Sequence, residues 1–229
     1  MPSDFPRSPK LLKGALVVYE SHTPGSKAKV IAFQYNPVQV SRSLAHSRAQ
    51  TGTSASASRG QAQQDVLRVE GPPSETITLS VILNATDQLE EAEQNQNVVQ
   101  NGLHSVLATL EMLLYPTSFQ VLKNEQLAEG GEVQLNPADL PLTLLVWGKS
   151  RVVPVLINSF SVTEEAFDPN LNPIQAKVEL GLKVLNYIDL PADSAGRNIY
   201  ISYQEQKENL ANKYQSGAQE QQIRGLLPS

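Results

Sequence analysis

The chain has 229 residues, 40% of them hydrophobic, which is enough for one large domain with a real core, or one domain and a small appendage. Its formal charge of −5 argues against a whole-chain field for nucleic acid, and the absence of cysteine excludes disulfides. The apolar run after the first lysines is too short for a signal peptide or a membrane span. A soluble cytoplasmic chain is therefore the expectation, with no direct membrane insertion.

Residues 1–10 contain three prolines and read as an irregular arm. Residues 14–20 form a short β run, His22-Thr-Pro-Gly25-Ser marks a turn, and residues 27–36 make a second strand, together a hairpin. Pro37 closes it, because proline has no N–H for a sheet ladder and drives Asn36 towards an extended backbone. Residues 41–64 are rich in Ser, Ala, Gln and Gly and nearly free of large apolar side chains. Such a segment buries too little surface to offset its ordering entropy. It reads as a solvated loop, or as an arm that becomes ordered against an acidic partner through Arg42, Arg48 and Arg59.

Residues 75–84 alternate, with Ile77, Leu79, Val81 and Leu83 on one face and Thr76, Thr78 and Ser80 on the other. Period two with β-branched side chains predicts a sheet with one buried and one wet face. An acidic turn over 87–93 precedes the strongest helical pattern. There Val99, Leu103, Val106, Leu107, Leu110, Leu113 and Leu114 make one apolar stripe, with acids in front and Pro116 behind. Residues 123–139 read as a loop with a Gly130-Gly131 turn.

Residues 140–187 then predict three long strands in a β-meander, punctuated by Gly148-Lys149 and by the turn from Asp168 to Pro173. In the last of them Ala176, Val178, Leu180, Leu182 and Val184 face one way, and Gln175, Lys177, Glu179 and Lys183 the other. The polar faces of this strand and of 75–84 suit plain solvent exposure or the lining of an aqueous lumen. Trp147 ends an apolar strand and is expected in core or interface packing. Residues 189–198 read as a linker, and Gln204 to Tyr214 as a short helix in the Gln- and Glu-rich tail.

No pattern here carries chemistry. His22, His46 and His104 lack partners at ligand spacing, which predicts no metal site. Glu90, Glu91 and Glu93 suit a helix entry, and Glu164-Glu165 the end of a strand, without a desolvated pocket for acid–base work. Nucleophile-elbow, dinucleotide and phosphate-loop motifs are absent. The expectation is a protein that assembles, not an enzyme, with no cofactor.

Several features in order resemble the tube-protein family of contractile injection systems, the phage-tail-like machines of bacteria. They are Phe33-Gln-Tyr-Asn36-Pro37, the polar loop, the strand ending Leu83-Asn-Ala-Thr86 and the helix ending Leu114-Tyr-Pro116. Pro141 to Gly148 and Asn172-Pro173-Ile174-Gln175-Ala176 complete the set, so the likeness spans roughly residues 10–188. The resemblance implies an α+β, mainly β fold: a tail-tube-like antiparallel β-barrel or sandwich with one packed amphipathic helix over 1–188, and a C-terminal extension over 189–229. It implies a homohexameric ring joining hub-spike and baseplate to the inner tube and starting tube assembly. Hub-spike, inner tube, baseplate and sheath proteins are the implied partners. Such a subunit is expected in the bacterial cytoplasm during assembly, within a particle that is released or membrane-anchored.

Members with this tryptophan–glycine strand usually carry a LysM domain. Here only Ile199-Tyr-Ile-Ser-Tyr203 and the helix after it resemble the first strand and helix of LysM, a truncated remnant. A stacking inner-tube subunit, and a cell-wall-glycan binder using that remnant, are the alternatives. On the ring reading, Thr76, Thr78, Ser80, Lys177, Glu179 and Lys183 line the lumen or an inter-subunit face, and residues 41–64 clasp a neighbour.

Overall fold

The computed structural model describes residues 13–19, 28–46, 71–129 and 140–214. The alternating segments become seven strands: β1 Ala15–Tyr19, β2 Ala28–Ala32, β3 Val40–Ala45, β4 Ser74–Asn84, β5 Leu142–Val146, β6 Val152–Phe167 and β7 Pro173–Val184. They form one sheet in the order β2-β1-β5-β6-β7-β4-β3, and every neighbouring pair is antiparallel. The early hairpin is β1–β2, and β5–β6–β7 is the meander. The architecture is thus α+β and mainly β.

The buried face follows the alternation. Ile77, Leu79, Val81 and Leu83 of β4 lie opposite Leu182, Leu180, Val178 and Ala176 of β7, and all eight are buried. Full burial of each Leu, Ile or Val stabilises the fold by roughly 1.5–3 kcal/mol. In β6 the register slips between Ile157 and Ser159. Facing that bulge is Gly181, where a β-carbon would lie 2.1 Å from the Ser159 hydroxyl, so a larger residue there would have to displace the Ser159 and Asn158 side chains.

The sheet is curled around this face. Gln34, just beyond edge strand β2, donates to the carbonyl of Asn84 (2.7 Å) and accepts from its N–H (2.8 Å) at the far end of β4. In a flat sheet five strand spacings would put β2 about 24 Å or more from β4. The sheet is nevertheless open, with β2 and β3 as its edges rather than partners in a closed ladder.

Among the described residues five helices accompany the strands: α1 Thr86–Glu90, α2 Gln96–Asn101, α3 His104–Glu111, α4 Ser118–Glu129 and α5 Ala195–Asn212. The expected continuous helix over 99–114 is broken at Gly102, whose φ is +53° and whose β-carbon would meet the Pro173 carbonyl at 2.4 Å. The next N–H, that of Leu103, donates to that carbonyl (2.8 Å), so the break anchors α3 to the start of β7. The apolar stripe itself is real: Leu103, Leu107, Leu110 and Leu113 are buried in the core.

Two further expectations are corrected. Residues 118–129, partly assigned to a loop over 123–139, form α4, started by a capping box in which Thr117 and Gln120 bond each other's backbone N–H. The supposed linker over 189–198 already contains the first residues of α5, whose cap is Ser194 accepting from the Arg197 N–H (3.2 Å). Tyr200 and Tyr203 of α5 join the same buried cluster as the sheet and α3, so among the described residues two helices cover the apolar face instead of one. No described helix is long and apolar enough to cross a membrane.

Candidate functional site

The outer face of the sheet gathers six of the residues singled out from the sequence. Register sets Thr76 opposite Lys183, Thr78 opposite Gly181 and Ser80 opposite Glu179, with Lys177 opposite Ile82. Ser41 and Ser43 of β3 continue the patch beside Thr78 and Thr76, and Ser161 and Thr163 of β6 continue it beyond Glu179 and Lys177. Its charges are largely matched within the patch. Lys177 bonds Glu179 at 2.8 Å and Lys183 bonds Asp189 at 3.3 Å. The hydrogen bond from Lys177 to Glu179 raises the ammonium above its ordinary value. Exposed pairs of this kind contribute little to stability. The result is a broad, nearly neutral, hydroxyl-rich surface on strands stiffened from behind by the core.

The remaining sequence candidates lie elsewhere. Arg48 and Arg59 fall outside the described residues. Arg42 belongs to no loop: it stands in β3 opposite Ile77, because the stretch 40–45 completes the sheet edge that β4 offers. Trp147 packs on the backbone of Gly14, where a β-carbon would lie 2.5 Å from its ring, and tilts against Phe33 with centroids 6.5 Å apart. The nearby Phe33–Asn36 motif ties strands together. Asn36 accepts from the Gly14 N–H (2.8 Å), and Tyr35 donates to Asp87 (3.3 Å).

A charged cluster at the opposite end of β4 was not anticipated. Glu75 keeps the phase of Ile77 to Leu83 and is therefore carried onto the buried face, only 4% exposed. Its Oε1 accepts from the Tyr203 hydroxyl (2.9 Å), and its Oε2 from Lys207 Nζ (2.8 Å). Arg42 Nε stands 3.7 Å from Oε1, and Lys207 Nζ lies 3.9 Å from the centroid of the Tyr203 ring. Desolvating a carboxylate costs several kcal/mol, which these partners offset, and they thereby pin α5 and β3 to one point. Burial, followed by the charge of Glu75, also raises the neighbouring Tyr200 phenol. The alternation that found the core of β4 contained the signal: a carboxylate in phase with four buried aliphatics.

This docking overturns the expected LysM-like strand. Ile199–Tyr203 is helical, in the middle of α5, because residues 200, 203 and 207 recur at helical spacing against the sheet. No family model matches the chain, and no curated protein matches it.

Proposed function

We propose that this chain is a structural subunit of a contractile injection system, its copies closing into a hexameric ring that joins the hub-spike and baseplate to the inner tube. The observation that carries this reading is the polar outer face of β4 and β7, hydroxyls on β4 beside paired charges on β7, built on long strands whose other face is continuous core. In a closed ring that face lines an aqueous lumen, and the sheet curl is completed towards a barrel by neighbouring copies. A second support is the pair of edges, β2 and β3, each with a strand partner on one side only among the described residues. Edges of this kind invite strand pairing, and ring closure satisfies them. Position at the junction, in place of repetition along the tube, rests on α5, an added helix pinned over one end of β4.

Affinity capture of the tagged full-length chain from its own cells, with mass spectrometry and negative-stain imaging, tests the reading. Hub-spike, tube and sheath proteins in syringe-like particles, with this chain at one ring per particle, are the expected result. Many rings per particle would make it a stacking tube subunit. A lone protein without such partners would end the proposal.

A further inference from the structure

Beside the Glu75 cluster lies a cleft of 290 Å³ whose walls come from three separate elements. Arg42 comes from β3, Trp147, Ser150 and Arg151 from the β5–β6 turn, and Tyr203 and Lys207 from α5. The cleft thus gathers three cations, and the carboxylate that two of them pair with is Glu75. Lys207 and Arg42 are engaged with Glu75. Among the described residues the Arg151 guanidinium has neither a hydrogen bond nor an ion pair, although its backbone carbonyl accepts from the Trp147 N–H (2.7 Å).

We infer that this cleft is a binding site for an acidic peptide segment of a partner protein, with a carboxylate side chain seated on Arg151 and an apolar neighbour against Trp147 and Leu210. The guanidinium fork matches a carboxylate in two parallel hydrogen bonds, and a partly enclosed site strengthens them. Trp147 and the exposed Leu210 supply apolar area for the flanking residue. A nucleic-acid backbone fits poorly, because it needs an extended basic track, and the exposed Glu205 and Glu208 of α5 interrupt one here. The cleft exists only while α5 is docked, since α5 supplies part of the wall. This inference stands apart from the ring reading, because it depends only on the cleft and its charges.

Trp147 is the only tryptophan of the chain, so its emission reports directly on this cleft. The test titrates the full-length protein with the blocked peptide Ac-Glu-Glu-Leu-Glu-Glu-NH2, its all-Gln counterpart and inorganic phosphate, reading binding by calorimetry and position by Trp147 emission. The expected result is saturable binding of the Glu peptide below millimolar concentration, with a shift in Trp147 emission and no binding of the Gln peptide. Arg151→Ala should weaken it about tenfold and Arg151→Glu should abolish it, both with unchanged melting temperature. Lys149→Ala, on the other flank of α5, should leave it intact. Absence of binding at millimolar peptide would overturn the inference. So would equal binding of phosphate, or affinity indifferent to Arg151.

Discussion

Helices α4 and α5 carry similar numbers of large apolar side chains, yet among the described residues only α5 places any of them in the core. In α5, Tyr200 and Tyr203 are 7% and 3% exposed, and Gly196 lets the first turn lie against Leu142 and Leu190. In α4, Phe119 is 74% exposed and Val121 and Leu122 are exposed with it. Both helices have well-formed N-caps, so local structure does not separate them. What separates them is a partner of matching shape and charge. The α5 residues 196, 200, 203 and 207 meet a groove that ends in a buried carboxylate, whereas Phe119, Val121 and Leu122 of α4 stay exposed. Helical order and helical docking are thus independent outcomes of the sequence.

That contrast can be broken or sharpened by substitution. The largest effect is expected in the buried face of β4. Leu79→Asp should destabilise the protein by several kcal/mol, because it buries an unpaired carboxylate, while Thr78→Asp on the wet face should stay within about 0.5 kcal/mol. Urea unfolding of the two variants reads the difference, and equal effects would contradict the assignment of faces. Tyr203→Ala should cost about 3 kcal/mol, combining a cavity with one lost hydrogen bond to Glu75, against about 1 kcal/mol for Tyr203→Phe. Hydrogen exchange should then accelerate along α5 and remain slow in α3. Glu75→Gln, which keeps the shape but releases Lys207 and Arg42, should cost about 1–2 kcal/mol. No change in its unfolding midpoint would mean that the charged cluster is not what holds α5.

A smaller, pH-dependent effect belongs to the β6–β7 turn that anchors α2. Hydrogen bonds from the Asn172 side chain and backbone, with a further one from Asn170, hold the Asp168 carboxyl below its ordinary value. The Asn172 amide also donates to the Gln100 carbonyl (3.1 Å). A carboxyl with a lowered folded value stabilises the turn above about pH 4, and that contribution is lost as pH falls through the folded value. Exchange of the amide protons of Asn170 and Asn172 should accelerate in that acidic window in the parent and show no such step in Asp168→Asn. At the bottom of the scale, Phe119→Ser in α4 should move the unfolding free energy by no more than about 0.5 kcal/mol. A loss of 2 kcal/mol or so there would show that α4 is docked after all, and would erase the comparison.

Much of the sheet was legible from residue order. The faces of β4 and β7, the hairpin of β1 and β2, and the meander β5–β6–β7 follow from period-two alternation and turn residues, which act within a strand. The six residues of the polar face were found for the same reason. Other assignments failed where the deciding partner was remote. Arg42 and its neighbours looked too polar for a strand, but an open edge of β4 recruits them through backbone bonds that do not consult side chains. The start of α5 at Ser194 and the capping box at Thr117–Gln120 were local signals that could have been read, hidden by the proline and glycine around them.

Alternation by itself determined which side chains of this protein face inward, because a strand flips direction at every residue whatever surrounds it. Only the tertiary structure decided that the sheet curls until Gln34 reaches Asn84, that Tyr200 and Tyr203 of α5 are buried while Phe119 of α4 stays exposed, and that Glu75 is buried. Those outcomes depend on contacts between residues 50 to 132 positions apart, whose free energy exists only once the chain has brought them together.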